Sequence, residues 1–216
     1  MMMQSKIRIL GICMVLVLAA VWLGADDQIR PITFSGTFSR AVTRGDDRSV
    51  FLSGNAWIET GSARIEADEI TISGENYRFA VCSGSVFILD TDQDITLQTS
   101  LLEYDRFTST AVSRGWTEME DRSNALIARG GYLENSGETG ITLIQIAARI
   151  LKDTDEGEML CRTDSARYDS KAQILELTGN SVVYWNQDVY RASKIIIDLD
   201  TNEITLEGNV TGTIYE

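Results

Sequence analysis

A pattern about thirty residues long recurs along this chain, and it limits the fold more than any other feature of the sequence. Gly54, Gly84, Gly115, Gly179 and Gly208 each follow one alternating apolar stretch and open another, at intervals of 30, 31, 64 and 29 residues. The interval of 64 holds two units, with the glycine slot near Ala147 or Ala148 filled by alanine. About five units therefore run from Gly54 to Gly208, preceded by a partial one. A unit of this size cannot bury its apolar face alone; each must cover the next, which dictates a stacked, elongated array with a core running along it.

Within a unit the apolar residues alternate. Ala56 and Ile58, Val86 and Ile88, Thr117 and Met119, and Ser181 and Val183 follow the glycines, and Ile65, Ile95, Leu126 and Ile195 mark the returning stretches. Period two over such runs predicts half-buried antiparallel strands, so the fold class is all-β. The connections, "ETGS", "DTDQD", "DSKAQ" and "DTNE", have turn composition. The only proline is Pro31, ahead of the first unit, so no ladder is interrupted by a missing donor. The segment "ITLIQIAARILK" also fits a helix face through Leu143, Ile146, Ala147, Ile150 and Leu151, but the phase of the repeat assigns it to a strand.

The first 25 residues place Lys6 and Arg8 before an apolar run from Ile9 to Leu23, closed by Gly24 and Ala25. This is the layout of an export signal, 1–25, followed by a single domain over 26–216; an uncleaved membrane anchor is the alternative. Removing the segment takes the formal net charge from −13 to −15, which disfavours nucleic acid and also an anionic membrane surface. There is no histidine, which removes the commonest general base and the usual catalytic zinc site. Cys82 and Cys161 lie three units apart and are expected to be separate buried thiols. The acidic runs "DTDQD" and "DTDEGE" begin like calcium loops, but counted from Asp90 the sixth position lacks glycine and the twelfth is Leu101, so they are expected to be solvated turns. Carboxylates on a β-helix could instead serve a glycosidase or lyase, yet every candidate falls in a turn or on a polar strand face, where solvation explains it.

The recurring "GN" turn, with "A-D" followed by alternating apolar residues, resembles the OstA-like domain of the lipopolysaccharide-transport (LptA) family. The residues that carry the resemblance are Gly54 and Asn55 with Ala67, Asp68, Ile70 and Ile72, then "TDSARYD" with "LTGNSV", and "YRASKIIIDL" with "LEGNV". It spans roughly Pro31 to Glu216. What it implies is an elongated, twisted β-jellyroll whose apolar trough shields glycolipid acyl chains, with copies joined head to tail in the periplasm between LptC-like and LptD-like components. No cofactor and no catalytic residue is implied. Such cargo needs shielding because each exposed methylene costs about 0.8 kcal/mol in water.

On this reading the trough is lined by Ile58, Ile65, Ile70, Ile72, Phe79, Val81, Val86, Ile88, Ile95 and Leu97. The terminal strands, "ITFSGTF" with Ile32 and Phe34 and "GNVTGTIY" with Val210 and Ile214, carry no lysine or proline to blunt them, so end-to-end association is expected there. Trp57, Trp116, Tyr184 and Trp185 follow the glycine turns and are expected to pack the core or close the sandwich edge. A membrane-anchored LptC-like component and a structural or adhesive solenoid without cargo are the other readings the sequence supports.

Overall fold

The computed structural model describes residues 31–43 and 48–215. The amino-terminal signal or anchor segment lies outside the described residues. Fourteen strands follow one another: β1 (Thr33–Ser35), β2 (Phe38–Val42), β3 (Ser49–Thr60), β4 (Ala63–Ser73), β5 (Phe79–Asp90), β6 (Ile95–Asp105), β7 (Thr110–Asp121), β8 (Leu126–Ser136), β9 (Ile141–Thr154), β10 (Gly157–Asp169), β11 (Ile174–Trp185), β12 (Asp188–Asp198), β13 (Glu203–Glu207) and β14 (Thr211–Thr213). A short 3-10 turn, Glu75–Tyr77, joins β4 to β5. All strands belong to one antiparallel sheet in which spatial order follows chain order, with β2 beside β1 on β3 and β14 beside β13 on β12. The fold is an elongated β-jellyroll, and Ile141–Thr154 is a strand.

The recurring glycines mark a crease. At Ser53/Ala56, Ser83/Val86, Arg114/Thr117 and Thr178/Ser181 the register slips, so that the odd-numbered strand spends one residue more than its partner. A bulge bends its strand, and bulges aligned in β3, β5, β7, β9 and β11 fold the whole sheet along one line. In β9 the bend falls on Ile146 and Ala147, with φ of 64° and 58°, in the slot that carries glycine elsewhere. The outermost strands break at the same line. The stretch read as one strand from Ile32 to Phe38 is two, β1 and β2, separated at Gly36 and Thr37, and Gly208 and Asn209 separate β13 from β14.

At two bends glycine is obligatory for two reasons at once. A Cβ on Gly84 would lie 2.1 Å from Asp68 Oδ2 and one on Gly179 would lie 2.6 Å from Asp164 Oδ2, at φ of +97° and +83°. The space is taken by a stitch: Asp68 accepts from the Ser85 amide at 3.0 Å, and Asp164 accepts from Asn180 Nδ2 at 2.9 Å. Asp68 and Asp164 thus sit in mid-strand, opposite the bulge, and not in turns.

Candidate functional site: the enclosed apolar interior

Inward side chains form rows across the strands. On one side of the crease Leu52, Ile70, Cys82, Leu102, Leu133, Ile144, Ala166, Leu177 and Ile195 follow in register, all without accessible surface. On the other side Ile58, Ile65, Ile88, Leu97, Met119, Ala128, Ile150, Cys161 and Val183 also follow in register, all buried. At the crease itself small residues (Ala56, Ala67, Thr117, Gly130, Ala148, Ser181) let the two halves approach. The hydroxyls buried there pair among themselves, Thr99 with Ser113 at 2.7 Å, Ser113 with Thr117, and Thr163 with Ser181 at 2.9 Å.

Opposite the crease the two columns of turns meet in a seam. The Arg106 guanidinium, after β6, donates to Thr60 Oγ1 of β3 at 3.0 Å and to the carbonyls of Asn76 and Tyr77. Gln173 Nε2, after β10, donates to Asn124 Oδ1, after β7, at 2.7 Å, and the buried Tyr168 hydroxyl of β10 donates to Asp121 of β7 at 3.0 Å. Burial, with the Asp121 charge second, raises the Tyr168 pKa, so the phenol stays a donor throughout the physiological range. Burial also lowers the pKa of Arg106 from its ordinary value. In the contacts of Arg106 with Thr60, Gln173 with Asn124 and Tyr168 with Asp121, one side of the sheet meets the other three strands further on, β3 to β6 and β7 to β10. That constant offset is what a steadily twisted sheet produces when it closes on itself.

The offset leaves a port at the first end. The halves of β3 and β4 away from their connecting turn, Ser49–Ser53 and Glu69–Ser73, have no strand three places earlier to cover them, and a cavity of about 390 Å³ opens there. Val50, Ile72, Ala41, Tyr77 and Arg106 line it, together with Pro31, Ile32 and Phe34 from the first strand and its approach.

Eight of the ten residues expected to face the interior do so: Ile58, Ile65, Ile70, Ile72, Val86, Ile88, Ile95 and Leu97 are all buried. Phe79 and Val81 do not. They are 44 % and 43 % exposed on the outer face, while their neighbours Ala80 and Cys82 point in. Both parities of "FAVC" are apolar, and the larger pair stands outside, where Arg78 lies 5.0 Å from the Phe79 ring. Of the aromatic residues, Trp185 packs against the core and donates to Thr154 Oγ1. Trp57 and Trp116 are on the outer face instead, the first under Arg64 at 4.5 Å and the second 56 % exposed.

The remaining chemistry-bearing groups have structural work. Cys82 and Cys161 are free and buried, and burial pushes both thiols up to about 12, which leaves them as small apolar side chains. Asp90 accepts from the amides of Asp92 and Gln93 and from Gln93 Nε2, so its carboxylate closes the "DTDQD" turn. The seam residues Thr60, Arg106, Asp121, Asn124, Tyr168 and Gln173 carry no mark in the sequence, because nothing local says which turns meet.

A thirty-residue repeat, folded into a creased sheet around a continuous apolar interior, narrows the family to be sought. Residues 39–203 match the family described as LptA/(LptD N-terminal domain) LPS transport protein. The chain belongs to this family. As an LptA/LptD-N member it is part of a lipopolysaccharide-transport family, and the matched span runs from β2, without Phe38, through β12 to the first residue of β13. No curated protein matches the chain. Among solved structures, LptH of Pseudomonas aeruginosa, described as the LptA-homologous periplasmic component of the lipopolysaccharide transport device, is similar at 9 % identity over 88 % of this chain and 99 % of that one, with a TM-score of 0.28.

Proposed function

We propose that the protein is a non-enzymatic periplasmic carrier that holds the acyl chains of a lipopolysaccharide-like glycolipid and passes them toward the outer membrane. The observation that carries this reading is the apolar port at the first end, continuous through Val50 and Ile72 with the buried rows, in a chain of a lipopolysaccharide-transport family. The port is large for its purpose: a cavity of about 150 Å³ already takes up a benzene ring. Each methylene drawn from water into such a lining gains about 0.8 kcal/mol, so an acyl chain supplies several kcal/mol toward displacing side chains that now fill the interior. Ile58, Ile65, Ile70, Val86, Ile88, Ile95 and Leu97 would then line the path deeper in, beyond Ile72.

Head-to-tail association with a second copy, or with LptC-like and LptD-like components, fits the two ends. Phe34, Val210 and Ile214 are exposed there, Ile32 lies half-buried over the port, and each outermost strand is cut into short pieces with a free edge.

Photo-crosslinking in cells tests the carrier reading. A photoreactive residue at Ile72 or Phe34 is expected to capture glycolipid, and one at Phe79 or Glu59, on the outer face, is not. Equal capture at all four positions would remove the interior from consideration.

A further inference from the structure

The outer face of β8 to β10 carries three arginines in one row. Arg129 stands opposite Arg149, and Arg149 stands opposite Arg162, all exposed; beyond Val182 on β11 the row reaches Arg191 on β12. Antiparallel partners lie only about 5 Å apart, and like charges placed directly opposite destabilise a sheet. The fold gains nothing from this arrangement, and in a chain of 32 acidic and 19 basic residues it runs against composition. The corresponding positions on β3 to β6 are Trp57, Glu66, Phe87 and Gln98.

Few local groups neutralise the row. Arg129 pairs with Glu118 at 2.5 Å, an exposed contact of small worth, and Arg162 lies 5.7 Å from the Tyr184 ring. Arg149 has no ion pair among the described residues. Of the acids nearest the row, Glu120 pairs with Arg122, and the Asp164 carboxylate accepts from Asn180.

Beside the row runs the crest of the crease, and here its character changes. Where the flanking bends expose Asn55, Ser85, Asn180 and Asn209, the middle two expose Trp116 and Ile146, at 56 % and 66 %. Leu101 on β6 and Gly131 on β8 complete the strip; a Cβ on Gly131 would touch Ile146. Ile146 also holds φ of 64°, a conformation that costs a β-branched residue roughly 1–2 kcal/mol. A strained, exposed isoleucine beside an exposed tryptophan has no role in the interior.

We propose that this ridge is a membrane-contact surface, with Arg129, Arg149 and Arg162 taking the phosphates of an anionic lipid bilayer while Trp116 and Ile146 enter its interface. Guanidinium forks suit phosphate, and indole rings settle at the headgroup level. The ridge is convex, so a single small anion would meet only one or two of the arginines, whereas a lipid surface meets all three together. The net charge does not prevent this. Charges beyond about 8 Å are screened at physiological ionic strength, and three basic residues held at an anionic surface contribute roughly a hundredfold in partition.

The chain without its apolar amino-terminal segment, residues 26–216, mixed with phosphatidylcholine vesicles and with vesicles containing phosphatidylglycerol, tests this by flotation. Binding is expected only to the anionic vesicles, weakening as salt rises. Arg149→Glu should lower it at least tenfold while the thermal midpoint rises slightly, because two like-charge pairs become opposite-charge pairs, and Arg149→Lys should keep most of the binding at the parent midpoint. Lys194→Glu, off the row, should leave it close to the parent. Brominated lipid should quench tryptophan fluorescence in the parent and much less in Trp116→Phe. Equal binding to neutral vesicles, no response to Arg149→Glu, or competition by millimolar glycerol phosphate would each overturn the proposal. So would a change in oligomeric state with Arg149→Glu in the absence of vesicle binding, because that result makes the ridge an interface between copies.

Discussion

The bends at β5 and β11 and the bend at β9 solve one geometrical problem in opposite ways. In β5 and β11 glycine takes the left-handed backbone, and an aspartate from the preceding strand fills the vacated space and accepts a hydrogen bond across the bulge. In β9 Ile146 and Ala147 take the left-handed backbone themselves, against a pair of glycines on β8. The first solution moves the small residue into the bulged strand and the second moves it into the partner. The teaching is that the crease requires room and a positive φ, while which strand supplies the room is free to vary. What stands on the outside of the bend, polar or apolar, varies with it.

Four substitutions sharpen this contrast, and all are read by urea or thermal unfolding. The largest effect is expected for Gly84→Val, which drives a branched side chain into both Oδ2 and Cβ of Asp68 at an unfavourable φ; a loss of about 3 kcal/mol or more should leave little folded protein at elevated temperature. Gly179→Ala places one Cβ beside Asp164 and should cost about 2 kcal/mol. Asp164→Ala removes the acceptor for Asn180 but relieves the crowding at Gly179, and should cost about 1 kcal/mol because the amide can turn to water. Ile146→Gly should be the smallest and of opposite sign, a gain of up to about 1 kcal/mol from relief of the left-handed isoleucine, offset by the unfolded-state freedom of glycine. Were Ile146→Gly as destabilising as Gly179→Ala, the two bends would not differ in the way described.

The crease and the strands were legible because both are local. Period two marks a strand, and a glycine recurring near every thirtieth residue marks a backbone that other residues avoid. Facing was less legible. In "RFAVCSG" either parity could be the apolar one, and choosing the larger side chains put Phe79 and Val81 inside. A rule visible in the structure would have decided it: the residue two places before the first bulge residue always points in, as Leu52, Cys82, Ser113, Ile144 and Leu177 do. The seam could not be read at all, since it depends on how far the sheet twists before its two sides meet. Net charge likewise hid the arginine row. A sum over the chain holds no information about three like charges brought side by side by strands that begin at residues 126, 141 and 157.

Because spatial order in the sheet repeats chain order, every ladder joins strands that are consecutive or nearly so, and even the hydrogen bonds across the seam reach only 46 to 49 residues along the chain. Loop closure is therefore brief at every step, which is unusual for an all-β protein, where distant pairings normally slow the search. A hairpin can form, dock on its predecessor and present a fresh edge to the next while the chain is still emerging. The molecule can thus be assembled in the order in which it is made, one thirty-residue step at a time.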